Sequence, residues 1–220
     1  MKRVAINASG HGPRSGSMFV SLPPETPVKK RLLPLLIAIA VPLAAQSYEL
    51  GLNISRQAYP SHTELGAFKF EPQDKTVVAG RFGYSFFDLG PALFQVTAVY
   101  QPKVDTEIRL NGTNTGTSLG DEYWGVGAMF NFKALVAVGA GVEYRSEKLT
   151  GPSASTTYGR PWARVNVGYA FPTPLVKPFI GLEVAAPLTT KSYNDALTSE
   201  DILKSFAPKL QVGIYGGIRF

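Results

Sequence analysis

The chain has 220 residues, 45% of them hydrophobic and 17% charged, with no cysteine and a formal net charge of +6. That positive balance sits at the N-terminal end: Lys2, Arg3, Arg14, Lys29, Lys30 and Arg31 precede Ser47 against Glu25 alone, leaving 16 basic and 15 acidic residues beyond. A nearly neutral remainder excludes the basic footprint of a nucleic-acid binder, and the missing cysteines exclude a disulfide framework.

Residues 1–27 are rich in Gly, Ser and Pro and show no hydrophobic period, so they read as a disordered or mis-called extension, with Val28 as an alternative start. Residues 28–47 read as a secretory signal peptide. Lys29, Lys30 and Arg31 precede an apolar run from Leu32 to Ala44, and small residues follow, with cleavage expected after Ala45 or Ser47. The run is shorter than the roughly 20 residues of a membrane-spanning helix, and Pro34 and Pro42 interrupt it. Residues 48–220 suffice for one domain. They contain no long apolar run, so only a closed barrel would let them cross a membrane.

Eight segments alternate with a period of two, the spacing of a strand whose faces meet different surroundings. The first holds Tyr48, Leu50, Leu52 and Ile54 against Glu49, Gly51, Asn53 and Ser55. The second holds Val78, Gly80, Phe82, Tyr84 and Phe86 against Val77, Ala79, Arg81, Gly83 and Ser85. The third sets Phe94, Val96, Ala98 and Tyr100 against Gln95, Thr97, Val99 and Gln101, and the fourth runs through Trp124, Val126, Ala128, Phe130 and Phe132. The fifth runs from Val136 to Arg145 and the sixth from Trp162 to Phe171. The seventh spans Phe179 to Ala185, and the eighth is Leu210 to Phe220. In each segment one face carries no charge. The other is small and polar, with Arg81, Glu143, Arg164 and Glu183 upon it.

Connections alternate between short (87–92, 133–134, about 172–177) and long and polar (about 56–75, 102–122, 146–160, 187–208). Aromatics of the uncharged face cluster at the segment ends. Tyr48, Phe86, Phe94, Phe132, Phe171 and Phe220 fall on the short-turn side, and Tyr100, Trp124 and Tyr144 on the loop side. These spacings predict two aromatic belts flanking an apolar band.

In these features the chain resembles the small outer-membrane β-barrels of the OmpA/OmpX type. The resemblance implies an all-β, eight-stranded, antiparallel, up-and-down transmembrane barrel in a bacterial outer membrane, with short periplasmic turns and long extracellular loops. It implies that Phe220, Ile218 and Ile214 form the C-terminal signal read by the barrel assembly machinery. It implies a monomer surrounded by outer-membrane lipid and lipopolysaccharide, with an unidentified surface partner.

The inward charges predict a network of Arg81, Glu143, Arg164 and Glu183 that neutralises itself and plugs a narrow bore, because a lone charge there is expensive. Glu49 and Arg219, near the base of the two closing strands, are expected to form a second pair. In the loops, Asn111-Gly112 signals a hairpin, so the third and fourth strands are expected to project as a ribbon. Thr198 ahead of Glu200 and Asp201 predicts a capped amphipathic helical turn over the barrel mouth. The expected role is structural, or surface contact through the loops. A narrow porin-like channel gated by the charge network is the alternative, and a lipid A-modifying enzyme a weaker one. Beyond residue 47 there is one histidine, His62, in a loop beside Ser61 and Glu64, and a nucleophile needs a base held and oriented against it. No catalytic residue, cofactor or metal site is assigned. A soluble lipocalin-like barrel would need an apolar interior, against which Arg81 and Arg164 argue.

Overall fold

The computed structural model describes residues 47–65, 67–190 and 198–220; the expected extension (1–27) and the expected signal peptide (28–47), save its last residue, lie outside them. Among the described residues the strands are β1 (Ser47–Ala58), β2 (Thr63–Leu65), β3 (Phe68–Pro72), β4 (Lys75–Asp88), β5 (Ala92–Leu110), β6 (Thr113–Lys133), β7 (Ala137–Thr150), β8 (Ser155–Ala170), β9 (Lys177–Pro187) and β10 (Leu210–Arg219), with one helix, α1 (Ser199–Ser205). Eight of them form a ring in the order β1-β4-β5-β6-β7-β8-β9-β10, and β10 returns to β1. Every neighbouring pair is antiparallel. The closing ladder runs from Glu49 opposite Arg219 to Ala58 opposite Leu210. Below it the Tyr48 amide donates to the Phe220 carbonyl at 2.8 Å, and the Phe220 amide returns the bond at 3.0 Å. Closure gives the backbone polar groups of the ring partners within the ring, which is the condition for crossing lipid with strands.

The facing of the side chains is that of a membrane protein. Leu52 is 57% exposed while its neighbour Asn53 is 6% exposed. The same inversion recurs on β4, where Phe82 is exposed beside buried Arg81, and on β9, where Leu182 and Val184 are exposed around buried Glu183. The outward band is free of charge from Tyr48 to Ile54 on β1, from Trp124 to Phe132 on β6 and from Val138 to Tyr144 on β7. Outward charges resume at Arg56, Glu122 and Lys148. A cation placed mid-band would lose its hydration, so Leu182→Arg is expected to cost about 2–4 kcal/mol. Urea titration of the barrel folded in phospholipid vesicles reads that loss, and a cost under about 1 kcal/mol would place the β9 face outside lipid.

Above the band the pattern reverses. Ile108, Leu119 and Leu149 now point inward and are buried with Tyr59, Leu203, Phe206 and Ala207, while Phe70, Ala154, Tyr158 and Ile202 pack alongside. The solvent outside the barrel has changed from lipid to water, so the apolar residues change sides. Here the loop boundaries differ from the sequence expectation. Residues 146–160 are not a long loop: β7 and β8 stay paired from Ser146 opposite Gly159 to Thr150 opposite Ser155. The stretch 102–122, by contrast, is the expected ribbon: β5 and β6 continue through it and are closed by Asn111 at φ 50° and Gly112 at φ 80°. Two successive left-handed residues are what a type I′ hairpin requires. Within 56–75, β3 adds to the projecting part of β5 and β2 adds to β3.

Helix α1 starts at Thr198, whose side chain accepts from the Asp201 amide at 3.2 Å. It buries Leu203 in the apolar cluster over the loop-side mouth, and Phe206 joins it from the helix end. At the opposite end, a register shift between Ser85 and Phe87 turns both Phe86 and Phe87 to the outside, as an extra residue in a bulge does.

Candidate functional site in the barrel lumen

The inward side chains assemble into three levels. At the short-turn end Arg219 reaches Glu49 at 2.8 Å, and Glu49 also lies 3.6 Å from the Arg81 guanidinium. Mid-barrel, Glu183 receives Arg81 at 3.0 Å and Arg164 at 2.6 Å, while Glu143 receives Arg164 and Arg145 at 2.5 Å each. Uncharged donors complete the shell: Asn53 donates to Glu183 at 2.9 Å and Gln95 to Glu49 at 3.0 Å. Above them Glu147 accepts from Arg160 at 2.7 Å, from the Trp162 indole at 2.6 Å and from the Tyr158 hydroxyl at 3.1 Å. Arg160 also donates to the Pro208 carbonyl at 2.7 Å, which ties the lumen to the segment after α1.

The guanidiniums are stacked as well as paired. Arg145 lies 4.3 Å from the centre of the Tyr123 ring and 4.0 Å from that of Trp162, and Arg160 lies 4.8 Å from the same indole. An arginine between two aromatic faces keeps its in-plane donors for carboxylates while its flat faces are covered. Inward glycines make room for these groups. A Cβ on Gly125 would meet the Glu143 carboxyl at 3.1 Å, and one on Gly181 would meet the Tyr215 ring at 2.5 Å. Below the plug, a cavity of about 170 Å³ opens toward the short turns, lined in part by Leu93, Asn131, Phe179, Tyr215 and Arg219.

The structure therefore brings Arg81, Glu143, Arg164 and Glu183 together, and it adds residues that the sequence reading left out. Glu49 and Arg219 are not a separate pair, because Glu49 links to Arg81. Arg145, Glu147, Arg160 and Trp162 belong to the same assembly. The signal for them was present, since the alternation continues in phase from Glu143 through Arg145 to Glu147 and from Arg164 through Trp162 to Arg160. Ending the segments at 145 and 162 hid Glu147 and Arg160, while Arg145 and Trp162, at the segment ends on the inward face, were not drawn into the network.

The nine aromatics assigned to the interfaces all face outward. Those at the short turns are spread around the ring. Tyr100, Trp124 and Tyr144 fall on the consecutive strands β5, β6 and β7, so the loop-side aromatics form a one-sided patch and not a belt. Ile214, Ile218 and Phe220 face outward on the closing strand, Ile214 opposite Ile54 and Ile218 opposite Leu50. His62 is exposed, with the Ser61 hydroxyl 3.3 Å from Nδ1 and Glu64 3.8 Å from Nε2.

These facings define the class: an eight-stranded transmembrane β-barrel, apolar outside and charge-filled inside, with the architecture of a small outer-membrane protein. No protein-family model matches the chain, and no characterised protein matches it in sequence. Among solved structures it is similar to Neisserial surface protein A, at 11% identity and a TM-score of 0.46 over 79% of this chain and 95% of that one. It is also similar to a major outer membrane protein of Thermus thermophilus, at 14% identity and 0.49 over 79% and 98%. A third similarity is to the outer membrane protein OprG of Pseudomonas aeruginosa, at 10% and 0.46 over 79% and 95%. At such identities the likeness says nothing of role, and the fold class stands on the register and facing of the strands themselves.

Proposed function

We propose that this chain is a sealed barrel of the bacterial outer membrane, monomeric, whose role is structural or is exercised through its extracellular surface. The observation that carries the reading is the continuous ion network from Arg219 to Arg145 across the lumen, joined through the Trp162 indole to the Arg160–Glu147 pair above it. Mid-network side chains are almost fully shielded, with Glu143 at 0% and Arg164 at 1% exposure, and the indole of Trp162 lies above them. An ion crossing this bore must first separate buried pairs, which is far costlier than passing through water. The projecting strands β2, β3, β5 and β6 offer the surface for a partner, and the outward closing strand ending at Phe220 is the segment offered to the assembly machinery. The exposure of His62, Ser61 and Glu64 and their long contacts favour a non-catalytic loop.

Planar bilayer recordings test the seal. The purified barrel is expected to show no steady conductance, and the double variant Arg145→Ala/Trp162→Ala is expected to conduct. A steady conductance in the parent that disappears in Glu143→Gln would replace this reading with the porin-like one. Loss of a lipid A modification in His62→Ala would replace it with the enzymatic one.

A further inference from the structure

Directly beneath the apolar cluster at the loop-side mouth lies a carboxyl that no cation of the described residues binds. Asp121 on β6 is fully buried. It sits above the membrane, because its chain neighbour Glu122 and the paired Lys148 point outward at that height. Its Oδ1 has no hydrogen-bond partner, and its Oδ2 lies 3.3 Å from the Tyr59 hydroxyl. That hydroxyl lies equally 3.3 Å from Gln57 Oε1, so one phenolic hydrogen faces two acceptors. The groups around Asp121 are otherwise committed. On β7, Arg145 binds Glu143, and Glu147 is a second carboxylate. On β8, Arg160 and Tyr158 bind Glu147. Ahead of β4, Asp74 accepts from Arg56. From β5 comes only Gln101, whose amide reaches the Asp121 main-chain oxygen at 3.5 Å. On β6 itself, Tyr123 lies against Arg145.

We propose that Asp121 is a proton-operated latch of the extracellular cap: its neutral carboxyl holds the cap closed over the bore, and its carboxylate loosens it. A neutral Asp121 donates its own hydrogen to the Tyr59 oxygen, which frees the phenolic hydrogen for Gln57, and both acceptors are then satisfied. An ionised Asp121 leaves two acceptors competing for one hydrogen in a site shielded from water, beside Glu147. Burial first, and the Glu147 charge second, push the Asp121 carboxyl up to about 7. Burial and the Asp121 charge push the Tyr59 phenol far above its ordinary range, so it remains a donor.

The sign follows by linkage. With the cap open, Asp121 titrates near the ordinary carboxylate value of about 4, so opening releases a proton. The opening constant rises roughly tenfold per pH unit between about 4 and about 7, and is level above.

Trp124→Phe leaves Trp162, buried beneath the cap, as the one tryptophan reporter. Acrylamide quenching of that variant, folded in detergent micelles, is measured from about pH 5 to about pH 8. Quenching is expected to rise toward pH 7 and then level off. In this background Asp121→Asn is expected to stay weakly quenched throughout, His62→Gln to follow the parent, and Tyr59→Phe, which removes the oxygen that the neutral carboxyl donates to, to shift the rise to lower pH. A flat parent curve, an unchanged rise in Asp121→Asn, or loss of the rise in His62→Gln would overturn the latch. Heat-dependent gel mobility checks that each variant has folded, and should Asp121→Asn fail, an unshifted Tyr59→Phe midpoint overturns the proposal.

Discussion

Replacing Glu143 by glutamine is expected to destabilise the folded barrel by about 3–5 kcal/mol, among the larger losses available to a near-isosteric change. Glu143 is the carboxylate between Arg164 and Arg145, each at 2.5 Å, and its side chain is fully shielded. Glutamine keeps the volume and one acceptor but removes the negative charge. Arg164 retains Glu183 at 2.6 Å, whereas the nearest remaining carboxylate on Arg145's own strand, Glu147, is already held by Arg160 and Trp162. A guanidinium stacked between two rings would then be left in the lumen without its counter-charge, and an unpaired buried charge costs several kcal/mol. An exposed pair supplies the contrast. Arg56 and Asp74 lie 3.2 Å apart with the Arg56 side chain 70% exposed, and Arg56→Ala is expected to cost under about 1 kcal/mol. Urea titrations of both variants in phospholipid vesicles make the comparison. Equal losses would mean that water, not pairing, solvates the lumen.

Gly217→Val is expected to abolish barrel closure. Strand propensity alone predicts the opposite sign, because valine suits a strand better than glycine by about 1 kcal/mol or less. At this position, however, a Cβ would overlap the Leu50 carbonyl oxygen and lie 2.6 Å from the Gly51 Cα. Both are backbone atoms of β1, and Gly51 is the residue paired with Gly217 across the closing ladder. A side chain can swing aside, but a paired backbone cannot without breaking the ladder, so the cost exceeds the roughly 1–3 kcal/mol of ordinary overpacking. Gly80→Val provides the control, since a Cβ on that outward residue meets nothing within 4 Å. Refolding into micelles and scoring the heat-dependent gel shift should show a full shift for Gly80→Val and little or none for Gly217→Val. A full shift in both would mean that the β1–β10 approach is wider than described.

Residues 48–55 and 210–220 show what was legible before folding. Alternation is a local property: a side chain two positions away returns to the same face whatever the rest of the chain does. Lipid outside and a narrow bore inside then enforce opposite chemistries on the two faces. Strand count, inside-out facing and the inward direction of Arg81, Glu143, Arg164 and Glu183 all follow from that period. The reading faltered at residues 146–160, where its premise lapsed. Above the membrane the outer face meets water, Ser146 and Lys148 replace apolar residues outside, and Leu149 turns in. A strand scored by an apolar outer face looks like a loop there.

Beyond the expected gathering of Arg81, Glu143, Arg164 and Glu183 and the Glu49–Arg219 contact, who meets whom in the lumen was not legible. Arg81 on β4 and Glu183 on β9 are 102 positions apart and on strands that do not pair. Their contact depends on the register of every ladder around the ring, and each one-residue slip would exchange lumen for lipid. The sequence by itself determined the faces, because side-chain period and solvent act residue by residue. Tertiary structure alone decided the partners of those faces: the ion network from Arg219 to Arg145 with the Arg160–Glu147 pair above it, the glycine-paired closing ladder and the carboxyl of Asp121 that no cation of the described residues binds. Each depends on distances that exist only once the ring has closed.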